Sequence, residues 1–533
     1  MLRKFLEKLQ TTILGGAIIV GAASILSRLI GLVRDRLLAS TFGAGDALDI
    51  YYAAFRLPDF IFNILVLGAL ASSFIPVFLE HWNKNNQAAA SKEEAWHITN
   101  SVLNLILVGL LVLGGLLFLF TPQLMLIVAP GFDPEKQAET AHLTRLMLVS
   151  IIFFGMSNVV SGVLNSFRKF VAYSLAPIMY NVGIIFGIVV LSPRWGIQGA
   201  AIGVVAGALL HWLVQLPSAR SLGFRYTLVL DTAHRGVRKI GALMIPRTLG
   251  LAVVQINQIV ITIIASTLRT GSVAVFNLAT NLQSFPISVF GISLAVSAFP
   301  AFSQAFAEQN NQKFVSHFSE TFRRVLYLIL PVSVAILLLR AQFVRLIFGA
   351  GAFDWTDTIL TAETLGVFAL SLFAQSLIPM LARSFYAFQN TKTPVAVSIF
   401  AMALNIALGI FLSRTAGIIG LAFAFTISSI VHMVLLLALL RIRVGDLDDV
   451  RIIRSTFKIL IASAALGLVI QWLKYVIAPL VDMQTFLGIF IQTSGALLTG
   501  GIVYLVVTMV LQSEEIHIFR NWFMRAVRTL IKR

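Results

Sequence analysis

The sequence predicts an all-α polytopic membrane protein of about 14 transmembrane helices: two six-helix lobes in a parallel pseudo-two-fold repeat plus two extra C-terminal helices. Three observations predict it. Hydrophobic residues make up 58% of the 533 residues and charged residues only 12%, and the mean hydropathy is +0.90. So few polar side chains cannot cover a water-facing surface of this size. Apolar blocks of about 20 residues recur from end to end, the length a helix needs to cross a hydrocarbon core. Short motifs also recur in the same order at a near-constant offset. The blocks are continuously apolar and lack the alternation of a lumen-lining strand, so helices rather than a barrel satisfy the backbone in lipid.

Span 1 lies near 11–41. It is too long for a signal peptide, and many spans follow it, so it reads as a membrane helix. Spans 2 to 6 lie near 47–79, 97–120, 139–166, 171–191 and 196–217. Spans 7 to 12 lie near 240–267, 272–302, 321–339, 358–388, 394–413 and 417–440, with spans 13 and 14 near 455–478 and 485–511. The implied divisions are an N-terminal lobe at 1–218, a cytoplasmic linker at 219–239 and a C-terminal lobe at 240–440. Helices 13–14 occupy 441–511, and a basic amphipathic tail occupies 512–533. In the tail, Ile516, Phe519, Trp522, Phe523 and Val527 recur at helical spacing with Arg520, Arg525 and Arg528 between them, which predicts a helix lying on the inner leaflet. The stretch Leu222 to Lys239 reads as a less periodic version of the same thing.

A net charge of +17 would suit a nucleic-acid partner, but the placement of the charge points elsewhere. With the N-terminus inside, 26 of the 40 Lys and Arg fall in or at the mouths of cytoplasmic segments, 8 in or at the mouths of outer segments, and 6 deeper within spans. That bias is the positive-inside rule. It sets a bacterial inner-membrane topology with both termini cytoplasmic, in contact with anionic membrane lipids, and leaves no nucleic-acid site to explain.

The repeat is carried by several pairs. Ala39–Gly45 is echoed by Ala265–Gly271 at an offset of 226, and Phe74-Ile75-Pro76 is echoed near Phe299-Pro300. Gly196-Ile197-Gln198-Gly199 with His211 matches Gly417-Ile418-Ile419-Gly420 with His432, and Asn181 and Asn405 stand upstream in similar settings. Six spans separate the copies, so both halves have one orientation in the membrane. Transporters built this way bind substrate between lobes and rock about the site.

Ionised side chains inside spans carry the chemistry. Each costs about 2.5–3.5 kcal/mol at mid-bilayer unless it meets water or a partner. Arg28, Arg34, Arg56, Arg145, Arg247 and Arg383 fall within spans, with Asp35, Asp49 and Asp59 among the first three. Arg28 and Asp35 are seven apart and share a helix face. Because span 1 exceeds the bilayer thickness, Arg34 and Asp35 fit either a wet cavity or the outer surface. Asp49 opens span 2, where a negative charge also favours the helix N-terminus. Arg56 precedes Pro58, which should kink span 2, and Arg247 follows Pro246. Arg145 reads as an interfacial snorkel. His211 and His432 read as packed helix-interface residues. Guanidinium groups match phosphate geometry, so their excess over acid predicts an anionic substrate such as a phosphate or pyrophosphate. Cysteine is absent, and no ATPase, zinc-protease or nucleophile-elbow motif is present. The chain therefore reads as a secondary carrier, not an enzyme, with no cofactor and no metal.

Ser27-Arg28-Leu29-Ile30-Gly31-Leu32-Val33-Arg34-Asp35, then Phe42-Gly43-Ala44-Gly45, Asp49 and Phe55-Arg56-Leu57-Pro58, closely resembles the signature of the MurJ (MviN) family. The resemblance continues at Phe74-Ile75-Pro76, Phe385-Tyr386-Ala387 and Thr391-Lys392-Thr393-Pro394. It implies the multidrug/oligosaccharidyl-lipid/polysaccharide exporter fold and a flippase for lipid II, the undecaprenyl-pyrophosphate-linked peptidoglycan precursor. By it, Arg28, Arg34, Asp35 and Asp49 match cavity-lining positions, helices 13 and 14 form a groove for the lipid tail, and cell-wall synthesis enzymes are partners. The sequence also departs from the family. Phe62 and Asn281 stand where arginines are common, so Arg247 either replaces the second-lobe contact or that contact is missing. Ile261 and Gly409 stand at sodium-ligating positions, so membrane potential rather than sodium is the expected drive. Another polyprenyl-linked glycan or an amphipathic drug as cargo, or a non-transporting scaffold, are the alternatives.

Overall fold

The computed structural model describes residues 13–67, 70–83 and 89–516, and within helices the side chains of Pro246, Arg247 and some neighbours lie outside the described residues. The chain divides into two compact units, 1–274 with 350–353, and 275–349 with 354–533. Among the described residues every regular element is helical.

In the first unit α1 (Ile13–Phe42) is followed by α2 (Asp46–Ala54), α3 (Arg56–Phe62), a π-helical turn at Asn63–Leu67 and α4 (Leu70–Trp82). Span 2 is thus broken, as Pro58 predicts. Pro58 has no N–H for the Ala54 carbonyl four residues back, and helix α2 stops there. The Thr144 hydroxyl approaches that carbonyl at 3.2 Å while also facing Thr140 in its own helix at 2.8 Å. Helices α5 (Ala89–Val128), α6 (Pro134–Ser166), α7 (Phe170–Phe186) and α8 (Ser192–Leu213) follow, then the short α9 (Leu216–Ser221) and α10 (Arg235–Ser266). Pro122 frees the Phe118 carbonyl in α5 in the same way, and Arg145 Nε from α6 donates to it at 3.0 Å while its guanidinium lies over the Phe118 ring. Helices α7 and α8 press together at glycines: a Cβ on Gly183 would come within 2.2 Å of Gly207. The core below them gathers Phe74, Phe78, Ile98, Leu103, Leu148 and Val159.

The linker departs from the helical reading of Leu222 to Lys239. Residues 224–230 form no regular element and are held by two asparagines of α5. Asn100 accepts from Thr227 N–H and donates to the Arg225 carbonyl, and Asn104 donates to the carbonyls of Thr227 and Val229. Side-chain amides supply the partners a helix would have supplied internally, so no amphipathic helix forms until Arg235.

The second unit runs through α11 (Ser272–Pro286), a π turn at Ile287–Ile292, α12 (Ser293–Ala307), α13 (Asn311–Leu338), α14 (Arg340–Phe348), α15 (Trp355–Ala369), α16 (Leu372–Ala387), α17 (Lys392–Val444), α18 (Asp449–Ile477) and α19 (Phe486–Val510). Tyr504 of α19 donates to the Tyr327 carbonyl of α13 at 2.7 Å, and buried Arg323 pairs with Glu515. The predicted tail helix lies outside the described residues from 517 onward.

Eight described helices are long and apolar enough to cross a membrane, or nine with the bent pair α15–α16. A count of fourteen is therefore not established by length and composition. Two of the eight are folded back on themselves, however. A straight helix of 53 residues would reach about 80 Å, yet Ser398 and His432 of α17 approach to 3.4 Å. The chain reverses at Gly417, whose φ is +55° and ψ −134°. Gly196, at φ +53° and ψ −139°, does the same in the first unit. The repeat is thus written in local geometry. Asp133 and Asp354 cap the helices that follow them, and the π turns open at Asn63 and Ile287, 224 residues apart.

Candidate functional site

The charged residues predicted for the first two spans sort into three settings. Arg34 is fixed. Its Nε and Nη2 donate to Asp35 Oδ1 at 2.9 and 2.7 Å, and Nη1 donates to Asn181 Oδ1 at 3.0 Å. Adjacent helical residues point about 100° apart, but the long arginine stem folds back over the shorter Asp35. Asp35 is buried, while Arg34 keeps about a quarter of its side chain exposed. Asn181 is itself anchored by donating to the carbonyls of Pro177 and Ser27. Three of the guanidinium's five N–H groups are engaged, which leaves one on each terminal nitrogen.

Arg28 shares the α1 face of Asp35 but not its burial. Residues around it on α1 are exposed on nearly every side, and Arg28 is exposed too, with no ion pair among the described residues. It is a cation held out from the unit, seven residues from a buried carboxylate.

Arg56, at the break in span 2, donates through Nε to Thr262 Oγ1 at 2.6 Å, and Thr262 donates to the Gln258 carbonyl. Asp59, one turn on, is near enough to feel the Arg56 charge. It lines a cavity of about 280 Å³ with Asn158, Tyr180 and His211. His211 Nδ1 is engaged by Ser157 at 2.6 Å, so this histidine is packed against a neighbouring helix while one edge reaches the cavity. Phe62 packs on Phe154 at the cavity wall, so an apolar ring stands there.

Asp49 is a fastening residue in this geometry. It is 2% exposed, accepts from the backbone N–H groups of Gly271 and Ala274 at 2.8 and 2.9 Å, and pairs with Lys136 at 2.9 Å. Lys136 also reaches Asp46. The sequence places the negative charge at a helix start, and the structure adds that it holds the turn after Gly271. The Arg247 side chain lies outside the described residues. Arg145 sits on the Phe118 carbonyl, and Arg383 donates to the Pro379 carbonyl within its own helix.

Sequence reasoning used Asn181 only as a repeat marker and did not single out Tyr52 or Thr262 for the site. The Tyr52 hydroxyl is buried without a hydrogen-bond partner among the described residues, within electrostatic range of Asp35, Arg34 and Arg56. One signal was available: Tyr52 lies between Asp49 and Arg56, on the segment richest in membrane-embedded charge.

Residues 38–491 match the family model described as Lipid II flippase MurJ. The chain belongs to the MurJ family. A probable MurJ of Vibrio cholerae serotype O1 is 30% identical over 80% of this chain and 82% of the relative. One of Rhizobium tropici is 29% identical over 95% of each. A solved structure described as Lipid II flippase MurJ, inward closed conformation, is similar at TM-score 0.75 and 25% identity, over 92% of this chain and 98% of that one. A multidrug resistance MATE family transporter of the MOP superfamily, in an inward-facing conformation, shares the fold at TM-score 0.66 and 18% identity, over 81% of this chain and 99% of that one. The MurJ match begins at residue 38, so Arg28, Arg34 and Asp35 stand just before it and rest on their own geometry.

Proposed function

We propose that this multi-pass membrane protein is a lipid II flippase, carrying the precursor from the inner to the outer leaflet of the bacterial cytoplasmic membrane by alternating access, with both termini cytoplasmic. The observation that carries the reading is the fixed Arg34, held by Asp35 and Asn181 with one N–H left on each terminal nitrogen. Two divergent donors on a planar group suit the oxygens of a pyrophosphate. Exposed Arg28 supplies the second charge, and Arg56, at the break in span 2, supplies a third. Asp35 orients Arg34. Asp49 serves by holding the backbone that carries the site, and the Tyr52 hydroxyl offers a donor to the sugar or peptide.

No bond is made or broken, so the chain is a carrier and not an enzyme. The lipid tail stays in the bilayer, with α18 and α19 beside it. An inside-negative potential favours outward movement of anionic charge by about 2.3 kcal/mol per charge per 100 mV. Membrane potential is therefore the drive, without sodium. Membrane lipids surround the chain, and enzymes that make and use lipid II are its partners in cell-wall synthesis. The test is depletion in the native host with outward lipid II translocation measured. Translocation should stop, and normal translocation after complete depletion would refute the reading.

A further inference from the structure

A cavity of about 680 Å³ in the first unit lies away from the arginines of α1. Its lining includes Leu103, Met156, Val160 and Trp212, together with the exposed Arg220 and Arg225 and the start of the irregular strap from Phe224 to Leu230. The composition is two-faced: an apolar trough with guanidinium groups in its lining. Both arginines are exposed, and neither has an ion pair among the described residues. The acidic group further along the strap is already engaged, since Asp231 accepts from His97 at 3.1 Å.

The strap itself points to lipid. Tyr226, Leu228 and Leu230 are 53%, 86% and 55% exposed, although the backbone beneath them is pinned to α5. Tyr226 turns its hydroxyl back to Asn104 Oδ1 at 2.9 Å, but water does not favour Leu228 and Leu230 held outward beside it, whereas a bilayer interface does. A trough that accepts a hydrocarbon chain, two unpaired cations in its lining and apolar residues beside it match one chemistry. The cations require negative charge, and the trough requires an acyl chain in the same molecule.

We infer that this groove binds an anionic glycerophospholipid, with one acyl chain along Trp212 and Val160 and the phosphodiester against Arg220 and Arg225. The bound lipid fixes the segment between the sixth and seventh predicted spans to its leaflet. This site is separate from the Arg34 site. It depends on the chain lying in a membrane and not on the identity of the cargo.

Trp212 reports on the trough directly. Full-length protein in nanodiscs is titrated with phosphatidylglycerol or phosphatidylcholine brominated on one acyl chain, and the Trp212 contribution is taken as the difference from Trp212→Phe. Brominated phosphatidylglycerol should quench Trp212 at a mole fraction about thirtyfold lower than phosphatidylcholine, the effect of two interfacial arginines on an anionic lipid. Arg220→Gln with Arg225→Gln should remove that preference, and because both residues are exposed the variant should keep its fold. Equal quenching by the two lipids, unchanged in the double variant, would overturn the proposal. So would loss of the preference on adding inorganic phosphate alone, which would make the arginines a free-phosphate site. Reversal by unlabelled lipid II but not by unlabelled phosphatidylglycerol would also overturn it, since the groove would then belong to the substrate.

Discussion

Arg34 and Asp49 both place charge where lipid is expected, yet their geometry gives them opposite tasks. Arg34 keeps donors in reserve, so Asn181→Ala, which frees one terminal nitrogen from its tether, should lower lipid II translocation severalfold at a stability cost of only about 1.5–3 kcal/mol, the worth of one hydrogen bond to a charged group. Both quantities can be read on the same purified variant. Asp49 has its oxygens occupied by Lys136, Gly271 and Ala274. Removing one member of a buried ion pair leaves the other uncompensated. Asp49→Ala should therefore cost about 3 kcal/mol, the low end for such a break because Lys136 retains Asp46. Thermal unfolding in detergent measures it, and an unchanged midpoint would leave Asp49 free for substrate after all. From sequence the two residues looked alike, since each is an ionisable group near a helix end. What separates them is the partner brought in from a distant part of the chain, which spacing along one helix does not reveal.

At the scale of elements, prolines and glycines set the breaks, and polar groups from neighbouring helices mend them. Pro122 frees the Phe118 carbonyl and Arg145 takes it. Arg145→Leu should then cost about 1 kcal/mol in the native chain and much less when combined with Pro122→Ala, whose new N–H closes the helix onto that carbonyl. A double-mutant cycle that sums without interaction would contradict this account. A methyl group added at Gly196 or Gly417 would meet no neighbouring atom, so alanine at either position suffers only backbone strain. Each substitution should destabilise by about 1–3 kcal/mol and by similar amounts, because the two φ/ψ pairs nearly coincide. The strap after α9 adds a pH effect. The His97 hydrogen bond holds the Asp231 carboxyl below its ordinary value of 3.8, with the backbone N–H groups of His234 and Ala233 assisting. A depressed folded value means the contact stabilises above the unfolded value and is lost as pH falls through the folded one. Amide exchange at Ala233 and His234 should stay protected at neutral pH, lose protection well into the acid range, and become independent of pH there in Asp231→Asn.

For the whole molecule, membrane class, helical architecture and the internal repeat were legible because each rests on many residues at once: apolar length, low charge content, and the paired Gly196 and Gly417 motifs. The break at Pro58 was legible from one residue whose chemistry allows little else. The linker was not, because Asn100 and Asn104 hold it in an irregular path that periodicity within 222–239 cannot show. The site was legible in part. Arginine excess marked α1 and α3, but the roles of Asn181, Tyr52 and Thr262 depend on which helices pack together. The account's central claim is that Arg34, poised by Asp35 and Asn181, engages the pyrophosphate of lipid II. It is tested most directly by replacing the native protein in its host with Arg34→Ala, or with Arg34→Lys, which keeps the charge but not the fork. Surface-exposed lipid II is then measured alongside protein level in the membrane. The account predicts normal protein level with translocation lost in both variants; normal translocation with Arg34→Ala would contradict it.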